Sequence, residues 1–137
     1  MSVVEELIRK EDNGSISFGN YKLHEKTKFE NFEYEGDLYK VKTFEEITKL
    51  ERNGAFVYES VPGTMVNNFK FSGKELDFYV KGLEDTQVTL EVEPNKKYKV
   101  FINDINVGTI TTGLGGKIVL NVEFHGDKPN HIMVKSV

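Results

Sequence analysis

The chain has 137 residues, enough for one domain or two small units sharing a core, and 38% of them are hydrophobic. A formal net charge of −4, with Lys and Arg spread along the chain, has the wrong sign for a nucleic-acid footprint. The absence of cysteine excludes disulfides, iron–sulfur ligation and thiol catalysis, and fits a reducing compartment.

The first ten residues, Met1 to Lys10, do not combine a basic region with an apolar core, as a secretory signal would. No apolar run approaches the roughly 20 residues that cross a bilayer. The expectation is a cytoplasmic protein with no membrane or nucleic-acid partner.

Ser2-Val3-Val4-Glu5 has the form of a capping box. Val3, Val4, Leu7 and Ile8 then fall on one helical face, opposite Glu5, Glu6, Arg9 and Lys10, and Asn13-Gly14 ends the run. The spacing predicts a short amphipathic helix. Its stripe of Val3, Val4, Leu7 and Ile8 either packs on the chain's own sheet or is a candidate oligomer contact, since a helix this short is marginal alone.

Ile16 to Tyr21 predicts a strand ending near Leu23. Residues 24–36 are charged and aromatic, and fit an extended edge strand or a loop. Phe29, Phe32, Tyr34 and Tyr39, interleaved with Lys26, Lys28, Lys40 and Lys42, form a candidate ligand surface on which sugars or bases could stack. Glu25, Glu30, Glu33 and Glu35 cancel its charge, and a half-buried sheet face is the plainer reading. Asp37 to Lys42 predicts a strand after a turn at Glu35-Gly36-Asp37.

Thr43-Phe44-Glu45-Glu46 repeats the capping-box form. Phe44, Ile47 and Leu50 follow at helical spacing, and Asn53-Gly54 closes a second short helix. Ala55 to Ser60 predicts a strand, and Val61-Pro62-Gly63-Thr64 a turn.

From Asn68 onward the pattern is almost purely β. Leu76, Phe78 and Val80 alternate, as do Val88, Leu90 and Val92, with turns at Gly82 to Asp85 and at Pro94-Asn95. Strands follow at Tyr98 to Ile102, Val107 to Thr112, Lys117 to Phe124 and Ile132 to Val134. Period-two spacing predicts that Val88, Leu90, Val100, Ile102, Ile118, Leu120 and Val122 face inward together.

Candidate chemistry is sparse. Gly113-Leu114-Gly115-Gly116-Lys117 resembles a phosphate loop, but Ile118 and a strand follow where a Ser or Thr and a helix are required. His125, Asp127 and His131 lie within seven residues; they either converge on a metal or punctuate a polar turn with Gly126 and Pro129, and the turn is the plainer reading. Ser60 lacks a glycine-flanked nucleophile elbow, and no two carboxylates are paired by pattern. The residues therefore nominate no catalytic group, metal ligand or cofactor.

Tyr98 to Thr109, with Asn103-Asp104-Ile105-Asn106 at its centre and Gly115-Gly116 after it, resembles the C-terminal immunoglobulin-like sandwich of polysaccharide lyases and related carbohydrate-active proteins. It departs at Asp104-Ile105, where that family more often has Asp-Gly. The resemblance covers about the last half of the chain and implies a non-catalytic accessory module. Met1 to Gly14, Tyr58 to Thr64 and Val66 to Phe69 are also similar to a family of small clostridial proteins, some of which carry the label "endosialidase". The residues argue against that activity. Sialidases hold the sialic carboxylate with three Arg side chains, and here only Arg9 and Arg52 exist; the Trp of their repeated turns is absent.

The expected fold is mainly β, a β-rich α+β chain. An N-terminal unit over 1–68 carries the two short helices, and an antiparallel immunoglobulin-like β-sandwich occupies 69–137, as two units or one continuous domain. The expected role is a non-enzymatic binding or structural module that forms a homo-oligomer, with a carbohydrate-binding accessory protein, its partner a glycan, as the alternative.

Overall fold

A computed structural model describes residues 3–72 and 74–137. Among these the chain forms thirteen strands and no helix: β1 (Ile8–Lys10), β2 (Ile16–Phe18), β3 (Thr27–Tyr34), β4 (Asp37–Phe44), β5 (Ile47–Arg52), β6 (Ala55–Val61), β7 (Thr64–Phe71), β8 (Glu75–Gly82), β9 (Thr86–Glu91), β10 (Lys97–Ile102), β11 (Ile105–Thr111), β12 (Lys117–Val122) and β13 (Asn130–Ser136). They build two antiparallel sheets packed face to face. The first has the order β1-β2-β7-β8-β13-β10-β11 and the second β12-β9-β6-β5-β4-β3.

Both expected helices are corrected. At the first, Glu5 and Glu6 form a turn, Leu7 takes a left-handed φ of 74°, and β1 follows. Val3, Val4, Leu7 and Ile8 are apolar for a different reason. Val4 is buried with Tyr21 and Met65, with Val3 packed on them, while Leu7 and Ile8 enter the main core. The stripe is thus divided between two clusters of its own chain. Ser2, its expected cap, lies outside the described residues.

At the second, Glu45 and Glu46 turn a tight hairpin in which Phe44 pairs with Ile47. Thr43, Thr48 and Leu50 are fully buried on one face of that hairpin. Asn53 and Gly54, with φ of 51° and 84°, form the next two-residue turn into β6. Asn-Gly stops a helix and also makes a hairpin turn whose twist suits the strands. The β-branched Thr43, Ile47 and Thr48 favour the second use, and a helix of about three turns has little intrinsic stability to oppose it.

The β-sandwich expected over 69–137 is present but is not confined there, because both sheets draw strands from both halves of the chain. Its order also departs from the immunoglobulin pattern. In that fold the first, second, fifth and fourth strands share one sheet and the third, sixth and seventh the other. From β7 on, this chain instead inserts its last strand, β13, between β8 and β10, and leaves β9 and β12 together in the second sheet.

The core lies between the sheets. Val88, Leu90, Ile118, Leu120 and Val122 come from the second sheet and Val100 from the first; all are buried as their alternation predicts, with Ile102 partly buried beside them. At the centre, Phe18 and Phe78 meet Tyr58 edge to face, with ring centroids 5.3 and 5.8 Å away. Such pairs add about 0.5–1.5 kcal/mol beyond the area they bury.

One end of the sandwich is closed by buried hydroxyls. Thr64 Oγ1 lies 2.8 Å from both the Tyr58 hydroxyl and Ser60 Oγ. Thr48 Oγ1 donates to the Thr64 carbonyl at 2.8 Å and meets Thr43 Oγ1 at 2.8 Å. Two glycines let the backbone close over this group. A Cβ on Gly19 would sit 2.4 Å from the Thr64 oxygen, and one on Gly63 2.1 Å from the Phe44 oxygen.

Candidate functional site

The outer face of the first sheet carries the most varied chemistry. Along β8, Leu76, Phe78 and Val80 point inward, which turns Glu75, Asp77 and Tyr79 outward. Along β13, Ile132 and Val134 point inward and turn His131 and Met133 outward. The two strands pair so that His131 lies opposite Tyr79 and Met133 opposite Asp77. The imidazole stacks on the Tyr79 ring, with centroids 4.5 Å apart and planes 12° from parallel. Its Nε2 donates to Asp77 Oδ1 at 2.6 Å.

A polar wall faces this stack. The ladder of β7 slips between Asn67 and Lys70, and Asn68 takes a left-handed φ of 56° there. Bulges of this kind re-aim side chains. Asn68 is held by Ser17 Oγ, which accepts from its N–H at 3.1 Å, and its side-chain amide lies 3.2 Å from Ser15 Oγ, whose proton goes to the nearer Asn13 Oδ1. Ser17 Oγ also donates to Glu11, which accepts from Arg9 Nε at 3.2 Å. Between the stack and the wall runs an open groove of about 500 Å³, lined by Asn13, Asn68, Lys70, Asp77, Tyr79 and His131 among others. That volume falls within the roughly 300–1,000 Å³ of small-molecule sites.

A His–Asp pair is also a hydrolase component, but it then needs a nucleophile on the imidazole. Among the described residues the His131 ring bonds only to Asp77, and the nearby Ser15 hydroxyl is engaged with Asn13 and Asn68. Ser60 is fully buried in the hydroxyl cluster. Burial pushes the Tyr58 hydroxyl far above the usual phenol range.

The four aromatic residues read from the sequence are brought together at the β3 edge of the second sheet. Phe32 pairs with Tyr39 across the ladder; Phe29 and Phe32 rings are 6.2 Å apart, and Tyr34 and Tyr39 rings 5.7 Å apart. Only Phe29 is well exposed, at 44%. Tyr34 donates its hydroxyl to the Gly14 carbonyl. Tyr39 is buried, which raises its pKa, while Arg52 pulls it back. The cleft beside this pair holds only about 100 Å³, the room of a few waters at about 30 Å³ each. Lys28 and Lys40 both point to Glu30, at 3.6 Å.

The residues of the His-rich turn disperse. His125 lies 3.9 Å from Glu123, Asp127 lies 3.8 Å from Lys81, and His131 turns to Asp77. Among the described residues no group of three His, Asp or Glu side chains is placed to hold a metal ion. The Gly113-to-Gly116 segment carries the chain from β11 to β12. A Cβ on Gly116 would lie 2.3 Å from the Val92 oxygen, and Lys117 Nζ sits over the Phe56 ring at 5.4 Å.

Sheet edges are the other exposed chemistry. β1 is three residues long. β3 carries Lys28, Glu30 and Glu33 and a register shift, and β11 pairs with β10 through a register shift beside Gly108. These are the devices that discourage strand addition. β12 has none of them in its interior. Its register with β9 is unbroken from Lys117↔Glu91 to Val122↔Thr86, its one charge is at its first residue, and Val119 is 51% exposed.

The alternation of β8 and β13 shows that Asp77, Tyr79 and His131 leave the core. That they meet depends on a strand pairing spanning 54 residues, and Asn68 on a bulge; neither has a local signal.

No family model, curated protein or solved structure matches this chain. Among the described residues no helix is long and apolar enough to cross a membrane.

Proposed function

We propose that this protein is a non-enzymatic binding or structural module that assembles with copies of itself, the β12 edge being the contact. The observation that carries this reading is the open edge of β12, six regular residues that pair only with β9 among the described residues. An edge without bulge, proline or interior charge offers its free N–H and C=O groups to another strand. The same edge on a second copy meets it about a two-fold axis, the commonest arrangement for homo-oligomers. With Leu120 on the axis, Ile118 meets Val122 of the second copy, so the apolar faces continue across the contact.

The test is light scattering after size exclusion over a range of concentrations. The wild type is expected to run as a dimer. Val119→Lys with Asn121→Lys places like charges across the axis on exposed positions, and is expected to give a folded monomer. A wild type that stays monomeric at millimolar concentration overturns the reading. The cysteine-free composition supports a cytoplasmic setting. Glycan binding is the second reading, favoured by the groove over β8 and β13.

A further inference from the structure

We infer that the groove bounded by Asn68 and Lys70 on one side and Asp77, Tyr79 and His131 on the other is a binding site for a neutral saccharide. The inference rests on the glycan-binding reading and is independent of assembly through β12. It adds the site, the residues and the charge class of the ligand.

The lining decides the class. A sugar hydroxyl both donates and accepts, so it needs both partners at close range. Asp77 accepts, while Lys70 and the Asn13 amide donate; all line the same groove. The Tyr79–His131 stack supplies a flat apolar surface for the C–H face of a pyranose ring, and its parallel geometry fixes both rings before a ligand arrives. The left-handed Asn68, clamped by Ser15 and Ser17, is likewise set in advance. An anionic ligand would meet Asp77 and Glu75, and among the described residues no three His, Asp or Glu side chains are placed together to hold a bare metal ion. A neutral hydroxyl-rich ligand meets neither objection.

The experiment is an NMR titration of the isotope-labelled full chain with cellohexaose, xylohexaose and N,N′-acetylated chitohexaose. Saturable shifts are expected for at least one of them, centred on Lys70, Asp77, Tyr79 and His131. Tyr79→Ala is expected to weaken that binding about tenfold. Asp77→Asn and the exposed Lys70→Ala are expected to weaken it with circular dichroism unchanged, which separates loss of binding from loss of folding. Shifts centred instead on Phe29 and Phe32 would overturn the groove assignment while leaving glycan binding standing. No shift with any of the three at millimolar concentration, or a Tyr79→Ala affinity equal to wild type, would overturn the inference.

Discussion

Thr64 holds more of the buried polar structure than any neighbour. Its hydroxyl partners both Tyr58 and Ser60, and its backbone partners Thr48. Thr64→Val keeps the shape and removes the shared oxygen, leaving two buried hydroxyls without that partner. The expected cost is about 1–3 kcal/mol, read from urea unfolding. Tyr58 adds a pH dependence. Its folded pKa is raised by burial, while in the unfolded chain a tyrosine titrates at about 10. The folded state then binds more protons than the unfolded one above that value, so stability is fully present below about pH 10 and falls as the pH rises beyond it. Tyr21, Tyr34 and Tyr39 are shifted the same way, so Tyr58→Phe is expected to flatten the alkaline decline without abolishing it. A decline of unchanged slope in that variant would contradict the assignment.

Among the elements, β12 and the β5–β6 hairpin give the sharpest expectations. β12 is an edge strand held by one ladder to β9 and by the burial of Ile118, Leu120 and Val122. Leu120→Ala should destabilise by about 2–5 kcal/mol, visible as a lower thermal midpoint. At the hairpin, Gly54 has a φ of 84° and nothing within 4 Å of where a Cβ would stand. Gly54→Ala therefore tests backbone strain alone, and a loss of about 1 kcal/mol is expected from equilibrium unfolding. A helix ending there would tolerate alanine in place of Asn53; the hairpin, with Asn53 Nδ2 bonded to Asp37 at 2.8 Å and its Oδ1 accepting from the Leu38 N–H at 2.9 Å, should not.

At the scale of the molecule, the pairings that hold the sheets together join distant segments. β2 pairs with β7, β6 with β9 and β8 with β13. Cutting the chain at residue 68 severs β7, takes β6 from β9 and leaves neither half with a complete sheet. Residues 69–137 expressed alone are expected to show the narrow amide dispersion of an unfolded chain in NMR. A well-dispersed spectrum would mean that the C-terminal strands close a core of their own.

The alternation of Val88, Leu90, Ile118, Leu120 and Val122 determined from local sequence alone that these residues lie on strands and face a core, because a period of two leaves one face to bury. The turns at Glu35-Gly36, Pro94-Asn95 and Gly113 to Gly116 were legible for the same reason: their chemistry is local. The first fourteen residues and Phe44 to Gly54 were not. Capping boxes and a spacing of three and four are also satisfied by turns between strands, and only the tertiary structure, by burying Val4 apart from Leu7 and Ile8 and by pairing Phe44 with Ile47 across a hairpin, decides between them. The strand order, the groove and the open edge were decided there too. Asp77 meets His131, and β12 ends a sheet, only because of which strands pair, and strand pairing across fifty residues leaves no mark on either strand's own sequence.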